Sequence, residues 1–355
     1  MKKLLVFITS LFVLSCTKND SRNSIGFYDF PKTEKGKNKE LIKKLGNQTY
    51  ARQFAKKDDT IFLFDFESKP YIRRYDKKFN KIDSLGLEGD FNINFPLFQH
   101  FDENGNFIFI NEGEYLSTYK PNTNPENPNS LKMINEIDIN KSFEADGVFQ
   151  AFNFKQSIIA DAYYPKEGDL IVVKSNEINT IDFLIPVNDQ MIEKQKDEFY
   201  HVLYRNKINV NPSNTLLVQS FSNFPTLQVF DVDGNRISSQ SYLSQKTSNL
   251  ADIYNNFLGV NTPNYVTYLN TFTTNKYIYA LSVNETWQDI LDYNYTHFEV
   301  HVFDWELTPL KRITIEDQID PLGSFIVLEN KDKKNEIIFL NPNRQEGTYY
   351  TKWYF

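Results

Sequence analysis

"FEVHVFDWELTPLKRITI", residues 298–315, holds two short runs in which apolar and polar residues alternate, joined by a polar turn around Pro309. Alternation with a period of two puts successive side chains on opposite faces of an extended chain, so the stretch reads as a β-hairpin. An aromatic–Asp pair, Phe303-Asp304, stands just before the turn. The same pair recurs at Tyr75-Asp76 and Phe230-Asp231, again ahead of a polar turn. In such loops an aspartate bonds the backbone amides of its own turn, so each pair marks a hairpin corner.

Working outward, the same grammar fills the chain from about residue 58. "DDTIFLFDF" (58–66) reads as a strand and "KPYIRRYDKKFNKIDSLG" (69–86) as a hairpin. Asn104-Gly105 is a strong hairpin signal, and Phe107 to Ile110 follow it as an apolar run. Residues 214–243, with a turn at Asp233-Gly234, 275–283 and 323–343 supply further strands. Roughly 300 structured residues at about 50 per unit give about six units. An open sheet of that many strands would leave exposed edges, which radial repetition removes. The expected fold class is therefore all-β: a six-bladed β-propeller of four-stranded antiparallel blades over residues 37–355. Each hairpin is the outer half of a blade. "YYTKWYF" at the end is expected to pair into the ring and close it. A helix over 37–54, with Leu41, Ile42 and Leu45 on one side, competes there with an irregular lead-in and a first strand.

The composition is that of a globular chain: 355 residues, 40% hydrophobic, 24% charged. Aromatics reach 15%, with 31 Phe and 21 Tyr, types that suit pleated, half-buried surfaces. A net charge of −7 speaks against a nucleic-acid partner. The lone cysteine, Cys16, excludes an intrachain disulfide.

Cys16 ends a distinctive N-terminus. Lys2 and Lys3 precede the apolar run "LLVFITSLFVLS", which is too short to span a bilayer as a helix of about 20 residues. "VLSC" (13–16) resembles the lipobox of bacterial lipoproteins. The resemblance implies a signal peptide over 1–15, a lipidated Cys16 and a polar tether over 16–36. Two or three acyl chains would make that anchor stable. The expected location is the cell envelope, with the chain lipid-anchored to the outer membrane. The charged "TKNDSRNS" that follows loosely resembles a surface-export signal, through Lys18 and Asp20.

"NKYIYALSV" (275–283) followed by "FEVHVFDWELTPLKRITIED" (298–317) resembles the TolB-like six-bladed β-propeller lipoproteins. "FLFDFESKPYIRRYDKKFNKIDSLGLEG" (62–89) is similar to their first blade. The chain departs from the family at "GLEGDFNINFP" (86–96), a shortened turn, and at Glu306-Leu307, where a turn glycine is common. The resemblance implies a membrane-anchored propeller and carries no catalytic residues, because the family has no agreed activity.

Candidate chemistry is sparse. His297 and His301 are four apart, which is ligand spacing on a helix, but on the alternating strand "THFEVHVF" they stand about 13 Å apart. "DVDGN" (231–235) opens like a calcium loop, yet Arg236 and Tyr242 occupy the places that need Gly and Glu. No nucleophile elbow, phosphate loop or dinucleotide fingerprint occurs, and no cofactor is expected. Carboxylates cluster at Glu88/Asp90, Asp289/Asp292 and Glu316/Asp317/Asp320. The insertion "NETWQDILDYNYTHF" (284–298) sets Trp287, Tyr293 and Tyr295 beside Asp289 and Asp292, a pairing of ring and acid that suits sugar or peptide recognition. The same residues also suit a helical turn that caps a blade through Trp287, Ile290 and Leu291. The function expected is a membrane-anchored binding or scaffold module for a protein, peptide or glycan. The alternative is a metal-dependent, lactonase-like hydrolase with its site in the central channel.

Overall fold

The computed structural model describes residues 24–26, 30–42, 53–65, 70–86, 97–111, 114–123, 128–145, 147–154, 157–164, 168–175, 181–184, 206–223, 225–243, 265–316, 324–330, 334–343 and 347–355. Their strands form six sheets, numbered I to VI here in chain order. The first strands are Gln53–Lys57 in I, Leu97–Phe101 in II, Gly147–Asn153 in III, Asn206–Val210 in IV, Tyr265–Thr273 in V and Phe325–Leu328 in VI. Within each sheet the following strands add antiparallel, in order, away from the first. First strands of successive sheets lie side by side, and the one in VI lies beside the one in I. The sheets thus close a ring, and the fold is a β-propeller.

The ring is held by an apolar core between each pair of neighbours. Phe62, Phe64 and Ile72 of sheet I pack on Phe98, Phe107 and Phe109 of II. Ile108 and Ile110, on the other face of that II strand, pack on Val148, Ala160 and Ala162 of III. Phe152 and Ile159 meet Leu217 and Phe230 between III and IV. Val218 and Val229 meet Tyr268, Ile278 and Phe303 between IV and V. Val300 and Ile313 meet Phe325 and Phe339 between V and VI. Ile326 and Ile338 meet Phe54, Ile61 and Tyr75 between VI and I. A sheet covered on both faces needs strands that are apolar throughout, which is why Phe107–Asn111 is buried at every position. The many aromatics of the sequence fill these spaces; the Phe64 and Phe98 rings, for example, stack with centroids 4.2 Å apart.

The N-terminal segment departs from the reading of 16–36 as a free tether. Two strands lie in it, β1 (Ser24–Gly26) and β2 (Thr33–Lys35), and β3 (Lys37–Ile42) follows directly. β1 pairs parallel with the outer strand of IV, and β2 pairs parallel with the outer strand of V. β3 pairs antiparallel with Gly347–Tyr354 and forms the fourth strand of VI. Between them Phe30 is buried against Phe303 in the core joining IV and V. A polar sequence such as Thr33-Glu34-Lys35 suits an edge strand, where both side-chain faces can stay wet and only the backbone pairs. The helix considered over 37–54 is absent from the described part of that stretch. Lys37–Ile42 and Gln53–Lys57 are strands there, and 43–52 lie outside the described residues. The last strand does take part in closing the ring, with β3 as its edge partner.

The hairpin corners form as their sequence dictates. Asp76, Asp231 and Asp304 each accept bonds from amides two and four residues on: Lys78 and Asn80, Asp233 and Asn235, Glu306 and Thr308. Asp102 builds the same turn on Asn104 and Asn106, between the first two strands of II. All four turns lie at the end of the ring where the first strands finish. The chain enters the first strands from the opposite end.

Candidate functional site

The first strands surround a central channel of about 920 Å³. Four side-chain amides brace its wall, reaching from the first strands of I, II, III and IV to the next. Gln53 accepts from Phe98 N–H and donates to Phe98 C=O, both at 2.9 Å. Gln99 accepts from Ala151 N–H at 3.3 Å, and Gln150 accepts from Ile208 N–H at 2.9 Å. Asn209 donates to the carbonyl and hydroxyl of Thr271. These groups satisfy inner-edge backbone positions that the sheet ladders leave open. The sequence reading did not find this belt. Its signal is a Gln or Asn within the first strand of each of the first four units, which looks like an ordinary solvent-facing residue.

The two mouths of the channel differ. At the entry end stand Leu97 and Phe149, about half exposed at 48% and 50%. Phe149 sits where the pairing register of its strand slips between Val148 and Gln150, a bulge that leaves it outside the ladder. Trp287 lines the same mouth, since it follows Thr286, which pairs with Tyr265 at the start of the first strand of V. At the far end stand Lys56, Lys57 and Lys276, with Asp58, Asp102 and Glu329. Lys57 Nζ lies 5.5 Å from the centre of the Phe101 ring. Lys56 is half-buried; burial and the charge of Lys77 hold its ammonium below the usual lysine range, against the pull of Glu329, Asp59 and Asp58.

Two histidines are buried near the ring's inner parts. His100 Nε2 lies 3.3 Å from Asn153 C=O, and its ring packs on Phe152 and Phe154. Burial lowers its pKa to about 4, only partly opposed by the Asn153 carbonyl and Asp102. His301 is buried under Phe30, 2.9 Å from Glu299 and 3.3 Å from the Tyr268 hydroxyl. Burial lowers its pKa too, so the neutral ring donates from Nε2 to Glu299 and accepts at Nδ1. His297 is exposed at the edge of the insertion. The two residues of the pair thus differ in environment, His301 buried within the strand and His297 exposed just before it.

The insertion 284–298 folds as the capping turn. α1 (Trp287–Leu291) starts at Thr286, whose hydroxyl accepts from Asp289 N–H and donates to the Asp289 carboxylate. Asp292 accepts from the Gln288 side-chain amide, and Ile290 is fully buried. Tyr295 is 3% exposed and part of the core between V and VI, which corrects its reading as an exposed recognition ring. Tyr293 is exposed, and Trp287 is half-buried against the same core. Of the five residues singled out there, only Trp287 reaches the channel. Cys16, Glu88, Asp90, Asp317 and Asp320 lie outside the described residues. Glu316 accepts from Lys35 of β2 at 2.6 Å. Among the described residues no three His, Cys, Asp or Glu side chains gather as metal ligands would.

No family model matches the chain, and no curated protein matches it. Solved structures do. A member of the DUF4221 family from Bacteroides vulgatus is similar with a TM-score of 0.52 at 11% identity, over 90% of this chain and 97% of that one. A DUF4623 family protein from Bacteroides eggerthii has a TM-score of 0.42 at 12% identity, over 87% of this chain and 71% of that one. The β-propeller domain of Cps50 (Swd1) from Myceliophteria thermophila has a TM-score of 0.41 at 9% identity, over 89% of this chain and 99% of that one. The DUF4221 likeness bears on the fold alone.

Proposed function

We propose that the chain is a binding module of the cell envelope: a six-bladed, TolB-like propeller tied to a membrane through lipidated Cys16, whose partner docks at the entry mouth of the channel. The observation that carries the docking reading is the pair Leu97 and Phe149, large apolar side chains left half exposed on inner strands. Large exposed apolar groups that cluster around a concavity mark binding sites in soluble domains. Six sheets with a core at every junction support the blade count. The lysines, apolar run and "VLSC" of residues 2–16 support the anchor. The test has two arms. Co-purification with the lipidated protein should capture a partner that Phe149→Asp loses while its melting temperature stays unchanged; equal capture by the variant defeats the docking reading. Cys16→Ala should release the chain from the membrane fraction, and a variant that stays with the membrane defeats the anchor.

A further inference from the structure

The chain ahead of β3 closes over a buried ionic cluster in sheet V. His301 and Glu299 lie on its third strand (Phe298–Phe303), Arg312 on its outer strand (Pro309–Ile315) and Tyr268 on its first. His301 and Arg312 are direct partners across their strands, and Glu299 serves both. Its carboxylate lies 2.9 Å from His301 Nε2 and 3.7 Å from Arg312 Nε. The Tyr268 hydroxyl lies 3.3 Å from His301 Nδ1. Around them the lining from IV and V is apolar, with Val229, Ala280 and Phe303 in it. Phe30 completes the cover: its ring centre is 4.7 Å from that of His301, which is fully buried.

That cover has a light hold. Of residues 30–36 only Phe30 is buried. β2 pairs with Arg312, Ile313 and Thr314, while Glu34 meets Lys311 at 3.3 Å and Lys35 meets Glu316 at 2.6 Å. Surface ion pairs of this kind contribute little. A proton on His301 would set a second cation beside Arg312, with one carboxylate between them and no water to spread the charge. Neutral His301 is thus the form that the Phe30 cover accepts. We propose that residues 30–35 are an acid-released strap: protonation of His301 lifts Phe30 from the propeller and β2 from the rim of V, while the six sheets stay closed. The lifted strap leaves a recess between IV and V and a bare edge on Pro309–Ile315.

Burial holds the covered imidazole below its ordinary pKa of 6.5, opposed by Glu299 and helped by Arg312. Once uncovered it titrates near the ordinary value, so the open form binds the proton first. The strap is therefore fully held above pH 6.5 and loosens as the pH falls below it. Three carboxylates act in the same direction, but only below about pH 4.5. Burial raises Glu34 and Glu299, yet Lys32 and Lys311 hold the first below its usual value, and His301 and Arg312 the second. The bond from Lys35 lowers Glu316.

The test places a fluorescent label on the strap, in the full chain carrying Cys16→Ala and Lys32→Cys, and follows its anisotropy from pH 7.5 to 5. Anisotropy should fall reversibly while the near-UV circular dichroism of the propeller holds. The released fraction should rise by at most about tenfold per pH unit, as one proton requires. Phe30→Ala should give the low value already at pH 7.5, His301→Gln should flatten the profile, and His100→Phe should leave it in place. NMR of the histidine-labelled chain reads the imidazole itself: Phe30→Ala should raise the pKa of His301 towards 6.5. A flat profile in the parent chain, a fall that survives in His301→Gln, or one that coincides with loss of the dichroism overturns the strap. So does a His301 pKa unmoved by Phe30→Ala, a readout that stands even where His301→Gln fails to fold.

Discussion

Three residues past each corner aspartate the backbone turns left-handed: φ is 61° at Phe79, 81° at Gly105, 86° at Gly234 and 64° at Leu307. Glycine takes that conformation without steric cost, whereas a side chain is strained there by about 1–3 kcal/mol. Phe79 and Leu307 hold it because each is buried in an interblade core, and that burial offsets the strain. Leu307 thus explains the departure from the turn glycine noted in the sequence. The corners were legible because an Asp bonding its own turn is a local event, independent of the rest of the fold. His100 was not legible as a buried group: "LFQHF" does alternate, with Phe98 and His100 on the buried side, but a polar residue in that place reads as solvent-facing. Its pKa of about 4 when folded, against 6.5 unfolded, means that the unfolded chain binds the proton first. Stability is therefore full above pH 6.5 and falls as the pH drops towards 4, by up to about 3 kcal/mol at 1.4 kcal/mol per unit. Urea unfolding at pH 7 and pH 4.5 should show this loss, and His100→Phe should reduce it. An unchanged pH slope in that variant would reassign the effect to other groups.

At the scale of the element, the inner strands differ from the outer ones. Outer strands need only alternate, and the eye reads them from sequence. Inner strands add cross-strand amides, and three of them carry bulges; register also slips between outer strands, at Arg74/Tyr75, Thr118/Tyr119, Val229/Phe230, Val302/Phe303 and Lys352/Tyr354. Among the inner strands it slips between Phe98 and His100, between Val148 and Gln150, and twice in the first strand of V. A bulge shifts the period of two by one residue, so the alternation that reveals a strand is lost where the channel is built. That is why the sequence pointed to the insertion at 284–298, with its conspicuous aromatics, and passed over Leu97 and Phe149. The same contrast separates structure from site by mutation. Gln53→Leu strands two partly buried backbone groups of Phe98 and should cost about 1–3 kcal/mol in a denaturation series. Phe149→Ala removes a half-exposed ring outside the ladder and should stay within about 0.5 kcal/mol. A large loss for Phe149→Ala would make it a packing residue.

Across the whole molecule, the repeat was readable because sheets I, IV and V share the same Asp corner before their fourth strand, and aromatics fill most of the junctions. The way the ring closes was not. The strand that completes sheet VI arrives from the far end of the sequence, and nothing in "KGKNKELI" marks a partner more than 300 residues away. Removing residues 1–36 takes away β1, β2 and the buried Phe30, and should lower stability while leaving a closed ring. Removing residues 1–42 also exposes the edge of Gly347–Tyr354, and should give an aggregating species on size-exclusion chromatography where the 1–36 truncation does not. Equal behaviour of the two truncations would show that β3 is dispensable.

The course of the first strands of the chain also sets how the molecule answers a pull. Among the described residues, a force applied at the N-terminus meets β1 first, lying parallel to the rim of sheet IV, and later β2 on the rim of sheet V. Both must slide along their neighbours, breaking several backbone bonds together, before any load reaches β3. The strand that locks the circle is thereby placed behind two sacrificial clasps, and drag on the body of the protein would be relieved by paying out chain length before the circle springs open.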